Sequence, residues 1–260
     1  MSDRAEFITV DRGGRVTTIT LNRPAVMNAI NPQMHAELQA AFDGFAADAE
    51  QFVCVVTGAG ERAFCAGSDL KVLDRHGRYP KNGYAGLIER YDLAKPVIAA
   101  VNGLALGGGF EIALACDVIV ASETASFGLP EPLVGAVALG GGLHRLPRQI
   151  GLKQAMGLIL SSRRVSADEG FRMGFVNEVV PANELQAAVD RWCADILRAS
   201  PMSIRASKQT VMSGLGEPDV QAAMRNQPTY PAYAAWRESE DAKEGPTAFA
   251  EKRPPVWRGR

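Results

Sequence analysis

Several absences narrow the chain's class. No uninterrupted apolar run reaches the roughly 18 residues needed to cross a bilayer, so no membrane partner is expected. The opening Met1-Ser2-Asp3-Arg4-Ala5-Glu6 is charged with no apolar stretch behind it, which argues against a secretory signal of the usual kind. The four cysteines, Cys54, Cys65, Cys116 and Cys193, make no CxxC pair, and no histidine stands at zinc-ligand spacing from them. No structural metal is expected, and reducing cytoplasm is the expected location. Lys+Arg (28) against Asp+Glu (29) leaves a net charge of −1. Electrostatics therefore gives no general reason to expect a nucleic-acid partner. Histidine is scarce: His35 falls on an amphipathic pattern and His76 in a polar stretch. Only His144 lies close enough in sequence to Glu131 to line one pocket with it.

What is present is ordinary globular material. The 260 residues are 47% hydrophobic and 22% charged, enough to bury a core without staples. Phe7–Val10 and Val16–Leu21 are β-branched runs flanking Arg12-Gly13-Gly14-Arg15, a hairpin pattern. Asn31-Pro32 starts a helix whose apolar face is Met34, Leu38, Phe42 and Phe45. Phe52–Thr57, Val97–Val101 and Asp117–Ala121 read as buried strands, and Phe110–Cys116 as a helix between the last two. The Arg/Lys-rich stretch from about Lys71 to Lys95 is expected to be partly helical, and mobile near Gly77–Gly83. After about residue 150 helical patterns dominate: Lys153–Ser161, Ala167–Met173, Glu184–Ala199, Met202–Leu215 and Val220–Arg237, with one strand at Val176–Val180. These alternations predict an α/β core over residues 1–200 and a helical region with a proline-broken tail over 201–260.

Three segments carry more than packing needs. Ala63–Leu70 is rich in small residues, so backbone can approach a ligand closely there; taken alone it reads as a tight turn with Ser68 or Asp69 capping the next helix. Gly107-Gly108-Gly109 opens a helix, leaving free N–H groups at a positive dipole end. It has neither GxGxxG spacing nor a following Gly-Lys-Ser/Thr, so a developing oxyanion suits it better than a nucleotide phosphate. A glycine-rich helix start packed on a neighbour explains it equally. Glu131 stands between Pro130 and Pro132, which stiffen its loop; alone, it reads as a solvated carboxylate. No Gly-x-Ser-x-Gly is present, so serine-hydrolase chemistry has little support.

Taken together, these residues resemble the enoyl-CoA hydratase/isomerase (crotonase) family over essentially the whole chain. The matching pieces are Asn22-Arg23-Pro24 with Met27-Asn28-Ala29, Ala63–Leu70, Lys95–Gly103, Gly107–Glu111, Phe127–Glu131 and Ala248–Arg253. The closing run from Ser239 looks most like the carnitinyl-CoA dehydratase branch of that family. The resemblance implies a spiral of repeated β-β-α turns with a C-terminal helical region that mediates oligomer contacts in trimers or dimers of trimers. It implies an acyl-CoA thioester as substrate, with no cofactor beyond the CoA that the substrate carries. The backbone N–H groups of Ser68 and Gly108 would form the oxyanion hole. Ala29, Ala66, Gly67, Asp69, Leu70, Phe249 and Lys252 would bind CoA.

Glu111 and Glu131 match the two glutamates of the family's hydratases, and 131 − 111 gives the hydratases' separation of 20 positions. The resemblance then implies a base toward water at Glu111 and a proton donor to C2 at Glu131. One position departs from the pattern: Leu139 stands where the hydratases usually carry glycine in a loop that helps place the water. Phe110 and Leu129 flank the glutamates and suggest an apolar lining. An isomerase, which needs only one carboxylate, is the second reading; a non-catalytic RNA-binding relative is the third, disfavoured by the near-neutral charge.

Overall fold

The computed structural model describes residues 5–72 and 79–260. The first hairpin pairs β1 (Ile8–Gly13) with β2 (Val16–Leu21) in antiparallel register, Gly13 opposite Val16 across the turn. Helix α1 (Pro32–Ala47) starts as its sequence requires. The Asn31 side chain accepts from the Met34 N–H at 2.8 Å, and Pro32 occupies a first-turn position where a missing N–H costs nothing. Its face of Met34, Leu38, Phe42 and Phe45 is fully buried. Each such side chain contributes roughly 1.5–3 kcal/mol on leaving water.

From β3 (Val53–Gly58) the chain winds in coils. The first three coils each lay one long strand in a large sheet and one three-residue strand in a small sheet. Strand β3 is followed by β4 (Ala63–Cys65), then β5 (Val97–Val101) by β6 (Leu104–Leu106) and α2 (Gly108–Ala115). Strand β7 (Val118–Ser122) is followed by β8 (Ser126–Gly128) and α3 (Gly142–Ile150). Then come α4 (Leu152–Ser161), β9 (Val165–Ser166), α5 (Ala167–Met173), β10 (Glu178–Val180) and α6 (Leu185–Leu197). The large sheet runs β1-β2-β3-β5-β7-β10, parallel from β2 onward. The small sheet runs β4-β6-β8-β9, with its first three strands parallel.

Both faces of the large sheet are covered, which is why its strands read as unbroken apolar runs. Cys54 and Val56 face the interior of the spiral with α1, while Val53 and Val55 face α6 through Leu185, Ala188 and Val189. The helices α7 (Pro201–Gly214), α8 (Val220–Asn226), α9 (Pro231–Glu238) and α10 (Glu240–Ala250) follow. Among the described residues no helix is long and apolar enough to cross a membrane.

The sequence patterns do not reveal β6, β8 and β9, which have two or three residues each and are too short for any period to register. They also miss α3, which begins on glycine and contains Pro147, and α10, which runs straight through Pro246. Within Lys71–Lys95 the helical content among the described residues is a single 3-10 turn at Tyr84–Gly86. His76 and Gly77 lie outside the described residues.

Nor is the tail frayed. The buried Asp241 carboxylate accepts from the Ser200 hydroxyl at 2.9 Å and from the Arg258 and Gly259 amides at 2.8 and 3.2 Å. Arg253 forks onto Glu244 at 2.6 and 2.9 Å.

Candidate active site

The three short parallel strands of the small sheet end side by side, and the chain continues from each into a residue singled out in the sequence. Ser68 follows β4, Gly108 opens α2 directly after β6, and Glu131 follows β8. The Gly107 N–H donates to the Gly128 carbonyl at 2.9 Å and extends the ladder by one rung. Gly107 has a φ of 55° and Gly67 one of 92°, both in the left-handed region where a side chain is disfavoured.

At Gly67 the backbone is held by Ile30, whose N–H donates to the Gly67 carbonyl and whose carbonyl accepts from the Asp69 N–H. That exchange skips Ser68. Among the described residues neither the Ser68 amide nor the Gly108 amide donates to any acceptor. Gly108 is the first residue of α2, whose dipole is positive at that end. The two segments are close: a Cβ built on Gly67 would come within 3.2 Å of the Gly108 nitrogen.

Glu111 lies one turn into α2, 3% exposed. The Gly142 N–H at the start of α3 donates to its Oε1 at 2.8 Å. Gly140 and Gly142 wrap the carboxylate so closely that a Cβ at either would collide with it. Burial pushes the Glu111 carboxyl up to about 7; the Gly142 bond opposes this and the neighbouring Glu131 charge adds to it. Glu131 begins a 3-10 turn whose N-cap is Pro130. Its Oε1 lies where a Cβ on Gly107 would come within 2.9 Å of it. Its Oε2 is buried and, among the described residues, has no hydrogen-bond partner. Burial raises this carboxyl too. Two carboxyls with raised pKa values thus share the mouth of α2 with two unspent amides.

The other sequence candidates divide. Ala29 is buried, and its carbonyl accepts from the Arg23 guanidinium, which also pairs with Asp69 at 3.1 Å. Asp69 therefore caps no helix among the described residues; it ties the Ser68 loop to the Arg23 loop. Ala66 donates to the Met27 carbonyl at 3.0 Å, and Leu70 is 65% exposed at the outer end of the same loop. Phe249 and Lys252 lie elsewhere, at the end of α10, which packs against α7 and α9; Phe249 is 88% exposed. Phe110 does not line the site. It is wholly buried in a ring cluster with Phe127 and Phe175, centroids 5.3 and 5.2 Å away. Leu129 does reach Gly142, one of the glycines around Glu111. Leu139 points outward, 81% exposed, while the flanking Gly140 does the close work. His144 is exposed on α3, and His35 is buried, its Nδ1 accepting from the Ala85 N–H at 3.0 Å; burial lowers it to about 4.

One neighbour of the site is invisible to motif reading. Tyr84, buried, sends its hydroxyl to 3.2 Å from the Ser68 Oγ and lays its ring over Gly108. An apolar-flanked tyrosine within a polar stretch gives no signal of this in sequence.

The comparisons with known proteins agree with the class that this fold and site define. The family model for enoyl-CoA hydratase/isomerase matches residues 11–260. The carnitinyl-CoA dehydratase of Salmonella typhi is 42% identical over 263 aligned positions, covering 98% of this chain and all of the relative. Among solved structures, an enoyl-CoA hydratase from Mycobacterium marinum superposes with a TM-score of 0.91 at 39% identity, over 98% of this chain and 99% of that one. An enoyl-CoA hydratase from Bacillus anthracis gives 0.88 at 35%, over 98% and 100%. The chain belongs to the enoyl-CoA hydratase/isomerase family, in the hydro-lyase class of enzymes.

Proposed function

We propose that the protein adds water to a 2-enoyl-CoA, or removes it from a 3-hydroxyacyl-CoA, through an enolate held by the Ser68 and Gly108 amides. The observation that carries this is the convergence of Glu111 and Glu131 on the entrance of α2, beside those two unpartnered donors. In the hydration direction, water oxygen bonds to C3 and its proton passes to Glu111. The C2–C3 π pair moves toward the thioester, leaving negative charge on the carbonyl oxygen between the two amides. Glu131 then gives its proton to C2, and the carbonyl re-forms. Donors set in place before charge develops contribute roughly 10²–10³ in rate each. A base with a pKa near 7 suits proton transfer at neutral pH. The acid, base and donors all come from the chain, so the reading calls for no metal or separate cofactor.

Isomerisation needs one carboxylate only; the presence of a second, with a buried oxygen that no described residue satisfies, favours hydration. The near-neutral charge and the lack of a dense Lys/Arg run in the sequence give RNA binding no support. Ala29, Ala66, Gly67, Asp69 and Leu70 supply the wall along which CoA enters, as their position beside Ser68 allows. Phe249 and Lys252 are exposed at the end of α10, and in this reading they meet CoA bound to a neighbouring subunit of a trimer or dimer of trimers in the cytoplasm. The test is loss of the enoyl-thioester absorbance on adding crotonyl-CoA, extended to a panel of branched and aromatic enoyl-CoAs read by the mass of one water. No hydration or dehydration of any member would refute the reading.

A further inference from the structure

The Tyr84 hydroxyl has no role in the two-glutamate scheme, yet it lies against both residues that would hold the enolate oxygen. Its oxygen is 3.2 Å from Ser68 Oγ, and its ring occupies the space that a side chain on Gly108 would fill. Ser68 and Gly108 are the two residues whose amides are unspent.

The turn that presents Tyr84 is fixed from several sides. Gly83 and Gly86 have φ of 74° and 62°, and Ala85 between them has φ 56°, ψ 15°, a left-handed conformation that a residue with a Cβ keeps only when its surroundings hold it. Several contacts hold it. The Ala85 N–H donates to His35 Nδ1, and Gly86 is pressed on the Gln39 backbone of α1. The His35 and Tyr79 rings stand edge-on to the Tyr84 ring at 4.6 and 5.5 Å between centroids. Arg145, from α3, bonds the Ile88 carbonyl just downstream. A phenol held this way loses little freedom when it donates.

We infer that Tyr84 is a third donor to the enolate oxygen: its hydroxyl accepts from Ser68 Oγ and gives its own proton to the thioester oxygen as charge develops there. The inference rests on the reading of Ser68 and Gly108 as the donor pair. Burial keeps the phenol protonated across the working pH range, as a donor must be.

Tyr84→Phe in the full chain removes the hydroxyl and keeps the ring. On the best enoyl-CoA, kcat should fall roughly 10- to 100-fold with KM within about twofold, because the bond is made to the developing charge and not to the ground state. Two CoA esters separate this from a structural strut. Butyryl-CoA presents an uncharged thioester, and acetoacetyl-CoA binds partly as its enolate, which has its own near-ultraviolet band. Tyr84→Phe should leave butyryl-CoA affinity unchanged and cut the bound enolate fraction about tenfold. Equal weakening for both esters, or an undiminished enolate band, would overturn the inference. Should Tyr84→Phe not fold, Ser68→Ala removes the hydrogen bond that the Tyr84 hydroxyl accepts and leaves the phenol proton to donate: the enolate fraction should hold within a few-fold, and a tenfold fall would assign the stabilisation to the Ser68 hydroxyl and overturn the inference. A protein that hydrates no enoyl-CoA but shows a Tyr84-dependent enolate band would sink the hydratase reading and leave the third donor standing.

Discussion

Residues 63–142 and residues 239–260 both carry motifs of the family, but the structure treats them in opposite ways. In the first region, strands from three successive coils deliver Ser68, Gly108, Glu111 and Glu131 to one place, where Glu111 is 3% exposed. In the second, α10 and the tail are clasped to α7 and to Ser200 through Asp241, and Phe249 stands 88% exposed at the end. The lesson is that a residue's relation to the reaction can be complete within one chain or can depend on what docks against it. The first region should therefore govern kcat and the second KM.

The largest effect expected is on the carboxylates. Glu111→Gln and Glu131→Gln should each lower kcat by roughly 10²–10⁴ with CoA-ester affinity nearly unchanged. Steady-state kinetics and ligand titration check this, and near-wild-type turnover in either variant would remove that residue from the scheme.

Next comes pH. Glu111 must be ionised to accept a proton, so kcat/KM should rise with pH through about 7. Stability should run the other way. The folded-state carboxyl is raised from 4.5 to about 7, so its contribution is fully present below about 4.5 and is lost as pH rises through about 7. Glu111→Gln should recover at most about 3 kcal/mol above pH 7, visible as a flatter dependence of denaturation midpoint on pH. A variant with the wild-type profile would show that burial of Glu111 carries no such cost.

Lys252→Ala tests the other side of the comparison. It should raise KM for acyl-CoA several-fold, leave kcat in place and hardly affect pantetheine thioesters that lack the nucleotide. The difference should shrink at high salt. Equal losses on both substrate forms would leave the tail a structural role only. The smallest effect belongs to Ser68→Ala, a loss of kcat of no more than a few-fold, since the amide remains. A loss beyond 100-fold in the folded variant would point to the hydroxyl itself and break the backbone-donor reading.

What was legible in the sequence follows the same divide. The α/β class, the first hairpin, α1 and the three long central strands are plain from composition and period, because elements of five residues or more buried on one or both faces leave a pattern. Glu111 and Glu131 were marked by motif, not by period. The small sheet that aligns them left no trace, since three-residue strands such as Leu104–Leu106 are set by pairing with neighbours, not by local preference. Leu139 marks this loop in the sequence, but the grip of Gly140 and Gly142 on Glu111 appears only when α3 is seen to start there. Phe110 illustrates the limit in reverse: adjacency to Glu111 suggested the pocket, and the helix turn puts it in the core instead.

The ladder β4-β6-β8 has a consequence for how wide this site can be. Adjacent strands lie about 4.8 Å apart because that is the reach of an N–H···O=C bond. The rung that leads to Ser68 and the rung that leads to Glu131 are two such steps apart, so roughly 10 Å separates them. The hydrogen-bond repeat is thus a ruler built into the backbone. Side-chain substitutions around the site cannot lengthen or shorten that interval. An inserted residue within β6 would not stretch it either; it would turn Ala105 out of the core and take the mouth of α2 off its rung.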